Sequence, residues 1–336
     1  MSAISTVITA AAAFLITSVV GIWIIPFLRR LKFGQIINDI GPTWHKNKQG
    51  TPTMGGLMFI IGITVAVVAG ILTYSFSKEA AGDIVYWQNL KRMIAGAIVA
   101  LGFAFIGFMD DYTKITHKRN LGLTAKQKLV AQILVSIIYL AMLALLDDKT
   151  TMLIVPPFGQ IDIGLFYYPL GLIIIIGFVN AVNLTDGLDG LNSSVTFVYG
   201  LVFMVISVRL ANVPNNIFAT AVAGGCLGFL VWNFYPAKVF MGDTGSMFLG
   251  GCVVALGFGV RMPVTILLAG IVYLIEAFSV ILQVLSVKLT GKRLFKMSPI
   301  HHHFEMSGYS EVKILVLFSI VGLIGGILTI LGVYNM

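Results

Sequence analysis

Long apolar runs recur along the whole of this 336-residue sequence. Most of them approach the roughly 20 residues that cross a lipid bilayer as a helix. Hydrophobic residues make up 58% of the chain and charged residues 11%, whereas a soluble domain carries about 25% charged residues. A chain with so little charge would expose large apolar surfaces to water. We therefore predict an all-α integral membrane protein rather than a soluble globular one.

The apolar runs predict about ten transmembrane helices in a single polytopic membrane domain that covers residues 1–336. The predicted spans are 4–27, 53–75, 93–109, 129–146, 168–183, 193–208, 217–235, 246–260, 264–287 and 313–334. The first run lacks a basic segment and a cleavage site before Arg29, so we interpret it as a retained helix rather than a signal peptide. Residues 150–168 carry turn residues and a short alternating stretch, which predicts a β-hairpin over the membrane. Cys226 and Cys252 fall inside apolar runs and are predicted to be buried thiols.

Basic residues are distributed unequally between the two sides of the predicted bundle. The loops after the odd-numbered spans hold sixteen of the 22 lysines and arginines. Because basic loops stay in the cytoplasm, we predict that both termini and the hairpin are periplasmic. All five histidines and eight of the fourteen acids also fall on the cytoplasmic side. The net charge of +8 thus indicates membrane orientation rather than nucleic-acid binding.

A pair of adjacent carboxylates stands where span 3 leaves the membrane, in residues 110–114 (DDYTK). Asp110 and Lys114 share a helix face at i, i+4 spacing, which is typical of a helix-end ion pair. Asp110 and Asp111 would repel each other at the lipid boundary, however. The pair becomes useful if it holds a divalent cation or the hydrated phosphate of a substrate.

A second acidic motif follows span 5, in residues 183–190 (NLTDGLDG). Asn183, Asp186 and Asp189 recur every three residues, so one surface carries an amide and two carboxylates. A polar turn with a glycine cap explains the glycines, which permit positive φ and close backbone approach. It leaves both carboxylates without a role, and the complete spacing of an EF-hand calcium loop is absent.

A third motif enters span 8, where Asn233 precedes residues 240–246 (FMGDTGS). Thr244 and Ser246 are natural N-cap residues. A helix N-terminus also presents free N–H groups and a partial positive charge to phosphate. Asp243 would bring a metal ion to that same phosphate.

A long cytoplasmic loop follows span 9 and contains residues 297–305 (MSPIHHHFE). The basic residues before it fit either attraction to anionic lipid or binding of a diphosphate. Three consecutive histidines diverge too much to hold one metal ion, so donors to a diphosphate or a sugar fit better. In the first cytoplasmic loop, Asp39 and residues 45–53 could face the same site. Glu276 lies inside span 9, where a charge is costly, and either a functional role or a structural pairing to neighbouring backbone explains it.

Carboxylates, basic groups and histidines from separate elements thus meet at one membrane face. That set suits diphosphate chemistry between a soluble nucleotide donor and a lipid phosphate acceptor. A secondary transporter of an anionic solute is the alternative from another class, but its site would lie near the bilayer midplane. A structural scaffold would leave the clustered acids unexplained.

Five motifs in order along the chain carry a family resemblance: residues 50–56 (GTPTMGG), 110–114, 183–190, 241–246 and 299–305 (PIHHHFE). Together they resemble the MraY family, the phospho-N-acetylmuramoyl-pentapeptide transferases of the polyprenyl-phosphate N-acetylhexosamine-1-phosphate transferase superfamily. The resemblance implies a bacterial inner-membrane enzyme of peptidoglycan synthesis, dependent on Mg²⁺ and homodimeric. It implies that UDP-MurNAc-pentapeptide and undecaprenyl phosphate react to give lipid I and UMP. A related transferase of GlcNAc-1-phosphate is the alternative within the superfamily.

The resemblance also implies roles for individual residues. Asp243 is expected to be the metal ligand, with Asp111 in support, and Asp110 and Asp111 to be essential carboxylates. The expected nucleotide side consists of Lys48, Asn183, Asp186, Gly187, Asp189 and Phe240, with Phe240 stacked on uracil. The sugar-phosphate path is expected to be flanked by Gln283, His302 and His303, the two histidines being catalytic. Lys114, Asn233 and His301 complete the predicted substrate-binding set.

Two mechanisms are open, a covalent phospho-sugar intermediate on an aspartate and direct attack by the lipid phosphate. The second pKa of a phosphomonoester is about 6, so the acceptor is mostly dianionic at neutral pH. It needs positioning and charge neutralisation more than a general base. We favour direct attack, with Asp110 orienting the acceptor.

Overall fold

The computed structural model describes residues 2–31, 48–76, 82–117, 122–146 and 151–336. These parts of the chain form a helical bundle with one small antiparallel hairpin, as predicted. The elements in chain order are α1 Ser2–Arg30, α2 Gly56–Ser75, α3 Ile84–Thr116, α4 Ala125–Leu146, β1 Met152–Val155, β2 Gly159–Asp162, α5 Tyr167–Leu184, α6 Leu191–Arg209, α7 Val213–Asn233, α8 Gly242–Gly259, α9 Thr265–Ala269, α10 Ile271–Thr290, α11 Ile300–Glu305 and α12 Glu311–Tyr334.

Within the described residues, nine helices are long and apolar enough to cross a membrane: α1 to α7, α10 and α12. Large apolar side chains are exposed on the outer helices, among them Trp23 on α1, Ile137 on α4 and Ile324 on α12. Lipid is the solvent that accommodates such a surface. The chain is therefore a multi-pass membrane protein.

The predicted eighth span corresponds to α8, whose 18 residues lie at the centre of the bundle. Every residue from 244 to 259 is buried. A methyl group at Gly251 would lie 2.6 Å from Cα of Ala100 on α3, and one at Gly250 would lie 2.8 Å from Cα of Val179 on α5. Small residues permit such close helix contacts. As a result, α3 and α5 pack directly on α8.

Most predicted spans match a helix to within a few residues, but two of them differ more clearly. The ninth predicted span, 264–287, is interrupted at Gly270, where α9 ends and α10 begins. A side chain at Gly270 would lie 2.7 Å from the Ile266 carbonyl and from the ring of Phe178. The third span, predicted as 93–109, belongs to the 33-residue helix α3. At 1.5 Å per residue, α3 is about 50 Å long and exceeds the roughly 30 Å hydrocarbon core.

The hairpin pairs β1 with β2 in antiparallel register, from Met152 opposite Asp162 to Val155 opposite Gly159. Gly159 adopts a φ of 99°, which permits the tight return. The hairpin precedes α5, in the segment where the alternating pattern predicted it.

Candidate functional site

Three aspartates meet where the C-terminal end of α3 contacts the N-terminal end of α8. Asp110, Asp111 and Asp243 each offer a carboxylate oxygen, and these oxygens lie within 4.8 Å of one another. Asp110 and Asp111 are buried, and the Asp243 side chain is 19% exposed. The helices approach this closely because Gly107 has no side chain; a methyl group there would overlap the Asp243 carbonyl. We call these three residues the aspartate cluster.

Asp111 caps α8 from a different helix. Its Oδ2 accepts hydrogen bonds from the Thr244 backbone N–H (2.9 Å) and hydroxyl (2.7 Å), and its Oδ1 accepts from the Asp243 N–H (3.2 Å). The prediction that Thr244 and Ser246 are N-cap residues was wrong, because α8 begins at Gly242 and both lie inside it. The Ser246 hydroxyl donates to the Gly242 carbonyl instead. A negative charge at this position also complements the helix dipole.

Two lysines neutralise the aspartate cluster. Lys114 Nζ lies 2.6 Å from Asp110, 2.8 Å from Asp243 and 3.9 Å from Asp111. Lys128, in the first turns of α4, places its Nζ 3.2 Å from Asp243. Lys128 had not been predicted as a site residue, since its sequence position marked only a basic loop. The two ammonium groups thus offset much of the negative charge that three ionised carboxylates would carry.

The aspartate cluster suits Mg²⁺, which prefers carboxylate oxygens and is usually held by one or two of them together with substrate phosphates. It is the one group of three potential metal ligands found in the described part of the chain. Lys114 and Lys128 occupy the same oxygens here. Because ammonium groups and a cation compete for these oxygens, the lysines would be free to bind phosphate once a metal ion is held.

The 183–190 segment joins the aspartate cluster from α5. Asn183 Nδ2 donates to Asp243 Oδ1 and to Ser246 Oγ, both at 2.7 Å. Asp186 lies close enough to feel the charges of Asp243, Asp111 and Asp189. Burial first, and then these negative charges, raise the pKa of Asp186 well above its ordinary value.

A second cluster of charges surrounds Lys48. Its ammonium group lies 2.7 Å from Asp189 Oδ1 and 2.7 Å from Glu311 Oε2, and 6.0 Å from the centre of the Tyr235 ring. Glu311 Oε2 also accepts from the Asp189 N–H, at 3.0 Å. Burial opposes the charged form of Lys48, but the two carboxylates outweigh it and hold the pKa of the ammonium group above its ordinary value. Glu311, in the first turn of α12, had not been predicted.

Asn233 and Phe240 connect the loops around this second cluster. Asn233 is buried; its Oδ1 accepts from Gly190 N–H (3.1 Å) and its Nδ2 donates to the Val239 carbonyl (2.9 Å). The Phe240 backbone pairs with Pro52 and Gly55, while its ring is half-buried. Asn233 thus holds two loops together, and Phe240 stands beside the segment that carries Lys48.

The three histidines occupy α11 and have separate partners. His301 is fully buried, with Nδ1 3.0 Å from Glu276 Oε2. His302 Nδ1 lies 2.9 Å from Glu305 Oε2, and His303 Nδ1 accepts from the Lys296 N–H at 3.2 Å. The three side chains do not converge on one point. This agrees with the prediction that consecutive histidines diverge too much to hold one metal ion. Glu276 is paired with a histidine side chain rather than with neighbouring backbone.

Gln283 supports the loop after α10. Its Oε1 accepts from the N–H groups of Leu294 (3.0 Å) and Phe295 (2.9 Å), and its Nε2 donates to the Phe295 carbonyl (3.1 Å). The structure thus brings Lys114 and Asn183 to the aspartate cluster and unites Lys48 with Asp189. Gln283 on α10 and His303 on α11 instead contact residues 294–296 of the loop between these two helices. Asp39 and residues 45–47 lie outside the described residues.

Comparisons with known proteins cover nearly the whole chain. Residues 93–261 match Glycosyl transferase family 4, and residues 48–60 match Phospho-N-acetylmuramoyl-pentapeptide-transferase signature 1. The chain is 45% identical over 324 residues to the phospho-N-acetylmuramoyl-pentapeptide-transferase of Heliobacterium modesticaldum, covering 95% of this chain and 96% of that protein. It is 44% identical over 326 residues to the protein of that name from Bacillus subtilis, covering 97% and 96%. The aspartate cluster and the 183–190 segment fall within residues 93–261.

Proposed function

Because this chain belongs to the phospho-N-acetylmuramoyl-pentapeptide-transferase family, we propose that it transfers phospho-MurNAc-pentapeptide from UDP-MurNAc-pentapeptide to undecaprenyl phosphate. The products are lipid I and UMP. The aspartate cluster carries this proposal: three carboxylates and two lysines at one end of the bundle suit a metal ion and a diphosphate. The enzyme works in a bacterial inner membrane, and a homodimer is proposed on the family resemblance alone.

The site is proposed to face the cytoplasm. The Lys/Arg distribution supports this orientation. A site on the cytoplasmic face would be accessible to the soluble nucleotide. All of the proposed site residues belong to loops or helix ends on one side of the predicted bundle. This arrangement differs from a transporter path, because the intramembrane Glu276 is fully buried and paired with His301.

Asp243 and Asp111 are proposed to hold Mg²⁺, with Asp110 beside them. A Mg²⁺ ion held there would supply positive charge to the diphosphate of the donor and to the phosphate of the leaving UMP. Asn183 fixes Asp243 through its 2.7 Å hydrogen bond. Lys114 and Lys128, which pair with Asp243 in the structure, would then be available to phosphate oxygens. Lys48, Asp186, Gly187, Asp189 and Phe240 bind the nucleotide, with Phe240 stacked on uracil, while Gln283, His302 and His303 flank the sugar phosphate.

Direct attack by the lipid phosphate is the proposed mechanism. An acceptor oxygen forms a bond to the phosphorus that carries the sugar, and the bond from that phosphorus to the bridging oxygen breaks, so UMP leaves with the oxygen. In the structure, Asp110 Oδ2 pairs with Lys114 and Oδ1 accepts from the Leu123 N–H at 2.9 Å. The hydrogen bond from Leu123 lowers the nucleophilicity of Asp110, which supports a role in orienting the acceptor.

The mechanism predicts how UMP release depends on the acceptor. Purified enzyme given donor and Mg²⁺ without acceptor should release no burst of UMP, because the attacking oxygen belongs to the lipid. Rapid-quench measurement of UMP checks this. A burst stoichiometric with enzyme, together with a phospho-sugar adduct on Asp110 or Asp111 that transfers when acceptor is added, would establish the covalent route instead.

The proposed reaction is tested with purified protein, undecaprenyl phosphate and Mg²⁺. We expect UMP and lipid I from UDP-MurNAc-pentapeptide, and neither product when UDP-GlcNAc replaces it. The signature at residues 48–60 favours the muramoyl donor. Turnover of UDP-GlcNAc alone would assign the chain to the related GlcNAc-1-phosphate transferases, and the absence of any UMP with either donor would exclude both activities.

A further inference from the structure

Glu276 is an ionisable residue in the interior of α10, and it is fully buried. Its Oε2 lies 3.0 Å from Nδ1 of His301, and its Oε1 has no hydrogen-bond partner among the described residues. A carboxyl group inside a membrane-spanning helix is costly, and such residues usually have a function and a specific partner. Here the partner is a histidine from the motif of residues 299–305.

The hydrogen bond to Glu276 determines what the His301 ring can do. The 3.0 Å hydrogen bond between Nδ1 and Glu276 Oε2 fixes the orientation of the ring. The other ring nitrogen, Nε2, is buried and has no hydrogen-bond partner within the described structure. Unpaired buried polar atoms are rare in native proteins. His301 is therefore held against its neighbours by the carboxylate and not by a second hydrogen bond.

Nε2 of His301 packs against Gly187. A methyl group at Gly187 would overlap Nε2 of His301, so any other residue would force the ring or the segment to move. Gly187 adjoins Asp186 and lies two residues before Asp189, which binds Lys48 at 2.7 Å. The ring thus joins α11, which carries His302 and His303, to the segment that carries the proposed nucleotide-binding residues.

We propose that Glu276 is a positioning residue, which orients His301 against Gly187 and so sets the distance between the histidine helix and the 183–190 segment. His301 itself is too buried to touch substrate in this conformation. The inference rests on the proposed function, because both segments that His301 joins are proposed to bind the donor. Misplacement of reacting groups by about 1 Å costs on the order of a hundredfold in rate, so a shift here should appear in kcat.

The test compares Glu276→Ala, Glu276→Gln and Gly187→Ala in purified full-length enzyme, with UMP release measured over a range of donor concentrations. Gln keeps an acceptor oxygen for the His301 ring, whereas Ala removes it. Ser279→Ala is the matched control, because Ser279 is buried on the same helix and, among the described residues, its hydroxyl donates to the Glu276 backbone carbonyl and to no side chain. Thermal unfolding of each variant separates loss of folding from loss of turnover.

We expect kcat to fall about tenfold or more in Glu276→Ala, to recover largely in Glu276→Gln, and to stay near wild type in Ser279→Ala. In a His301→Ala background, Glu276→Ala should cause no further loss, since residues that act as one unit are not additive. Multiplicative effects of Glu276→Ala and His301→Ala, or equal losses in the Gln and Ala variants, would overturn the inference.

Gly187→Ala leaves Glu276 in place and tests the contact between the His301 ring and residue 187. It is the variant to use if Glu276→Ala does not fold. It should lower kcat by displacing the His301 ring, and a normal kcat would overturn the inference. Wild-type enzyme is assayed first with UDP-MurNAc-pentapeptide. Its failure to release UMP would reject the proposed function, whereas active wild type with normal variants rejects only the role of Glu276.

Discussion

The carboxylates of Asp111 and Asp243 lie in the same cluster but have different partners. Asp111 accepts three hydrogen bonds from residues 243 and 244, two of them from backbone N–H groups. The recorded hydrogen-bond partners of the Asp243 carboxylate are side chains, among them Lys114, Lys128 and Asn183. Substitution of the two residues should therefore separate stability from activity.

Asp243→Asn should remove activity and keep the fold. Asparagine preserves the size of the side chain and an acceptor for Asn183, but it loses the charge that would hold Mg²⁺ against the diphosphate. We expect a loss of about 3 kcal/mol of transition-state stabilisation, or roughly a hundredfold in rate. UMP release across a Mg²⁺ titration measures it, with thermal unfolding as the control. Near-normal turnover would remove Asp243 from the site.

Asp111→Asn should destabilise the protein as well as lower its activity. The amide offers one acceptor oxygen where two oxygens now accept, and its NH₂ group would face an N–H donor. Loss of a helix cap costs roughly 0.5–2 kcal/mol, which predicts a lower Tm than that of Asp243→Asn. Thermal unfolding of both variants in the same detergent checks the difference. Equal Tm values would mean that the contacts to Thr244 contribute little to stability.

At the scale of elements, Glu311 connects the start of α12 to two loops, because its Oε2 accepts hydrogen bonds from Lys48 Nζ and from the Asp189 N–H. Glu311→Gln keeps one acceptor oxygen but removes the charge that holds Lys48 and the Asp189 N–H. A hydrogen bond to a charged group contributes about 1.5–3 kcal/mol. If Lys48 binds the nucleotide equally in ground and transition states, KM for the donor should rise about tenfold while kcat stays nearly constant.

Steady-state kinetics with varied donor measures the effect of Glu311→Gln. Asp162→Asn is its control, an acid-to-amide change on the exposed hairpin. A fall in kcat with KM unchanged would show that Glu311 contributes to the chemical step and not to nucleotide binding.

The sequence was informative where a pattern is local. Apolar runs predicted the helices and the alternating stretch predicted the hairpin, because both depend on the spacing of neighbouring residues. The break at Gly270 was missed, since apolar residues continue on both sides of it. Lys128 and Glu311 were missed because their partners are distant: 115 positions separate Lys128 from Asp243, and 263 separate Glu311 from Lys48. No periodicity connects such positions.

At the scale of the whole molecule, the orientation in the membrane can be tested directly. Cysteine at Lys296 should be protected from a membrane-impermeant thiol reagent in intact cells, because we propose that this loop is cytoplasmic. Cysteine at Phe158, which is 86% exposed at the hairpin turn, should react. Cys226 and Cys252 are buried and should give little background. Labelling at Lys296 with protection at Phe158 would invert the orientation.

The central position of α8 determines how the aspartate cluster is disrupted when the protein unfolds. Asp243 stands at the start of a helix that is enclosed by the bundle along its length and capped by Asp111 of α3. Local opening of a protein favours segments with few buried contacts, and α8 is the opposite kind of segment. The aspartates therefore separate only when the bundle itself comes apart. Inactivation by heat or by harsh detergent should then be a single cooperative event, with no folded species that lacks the site.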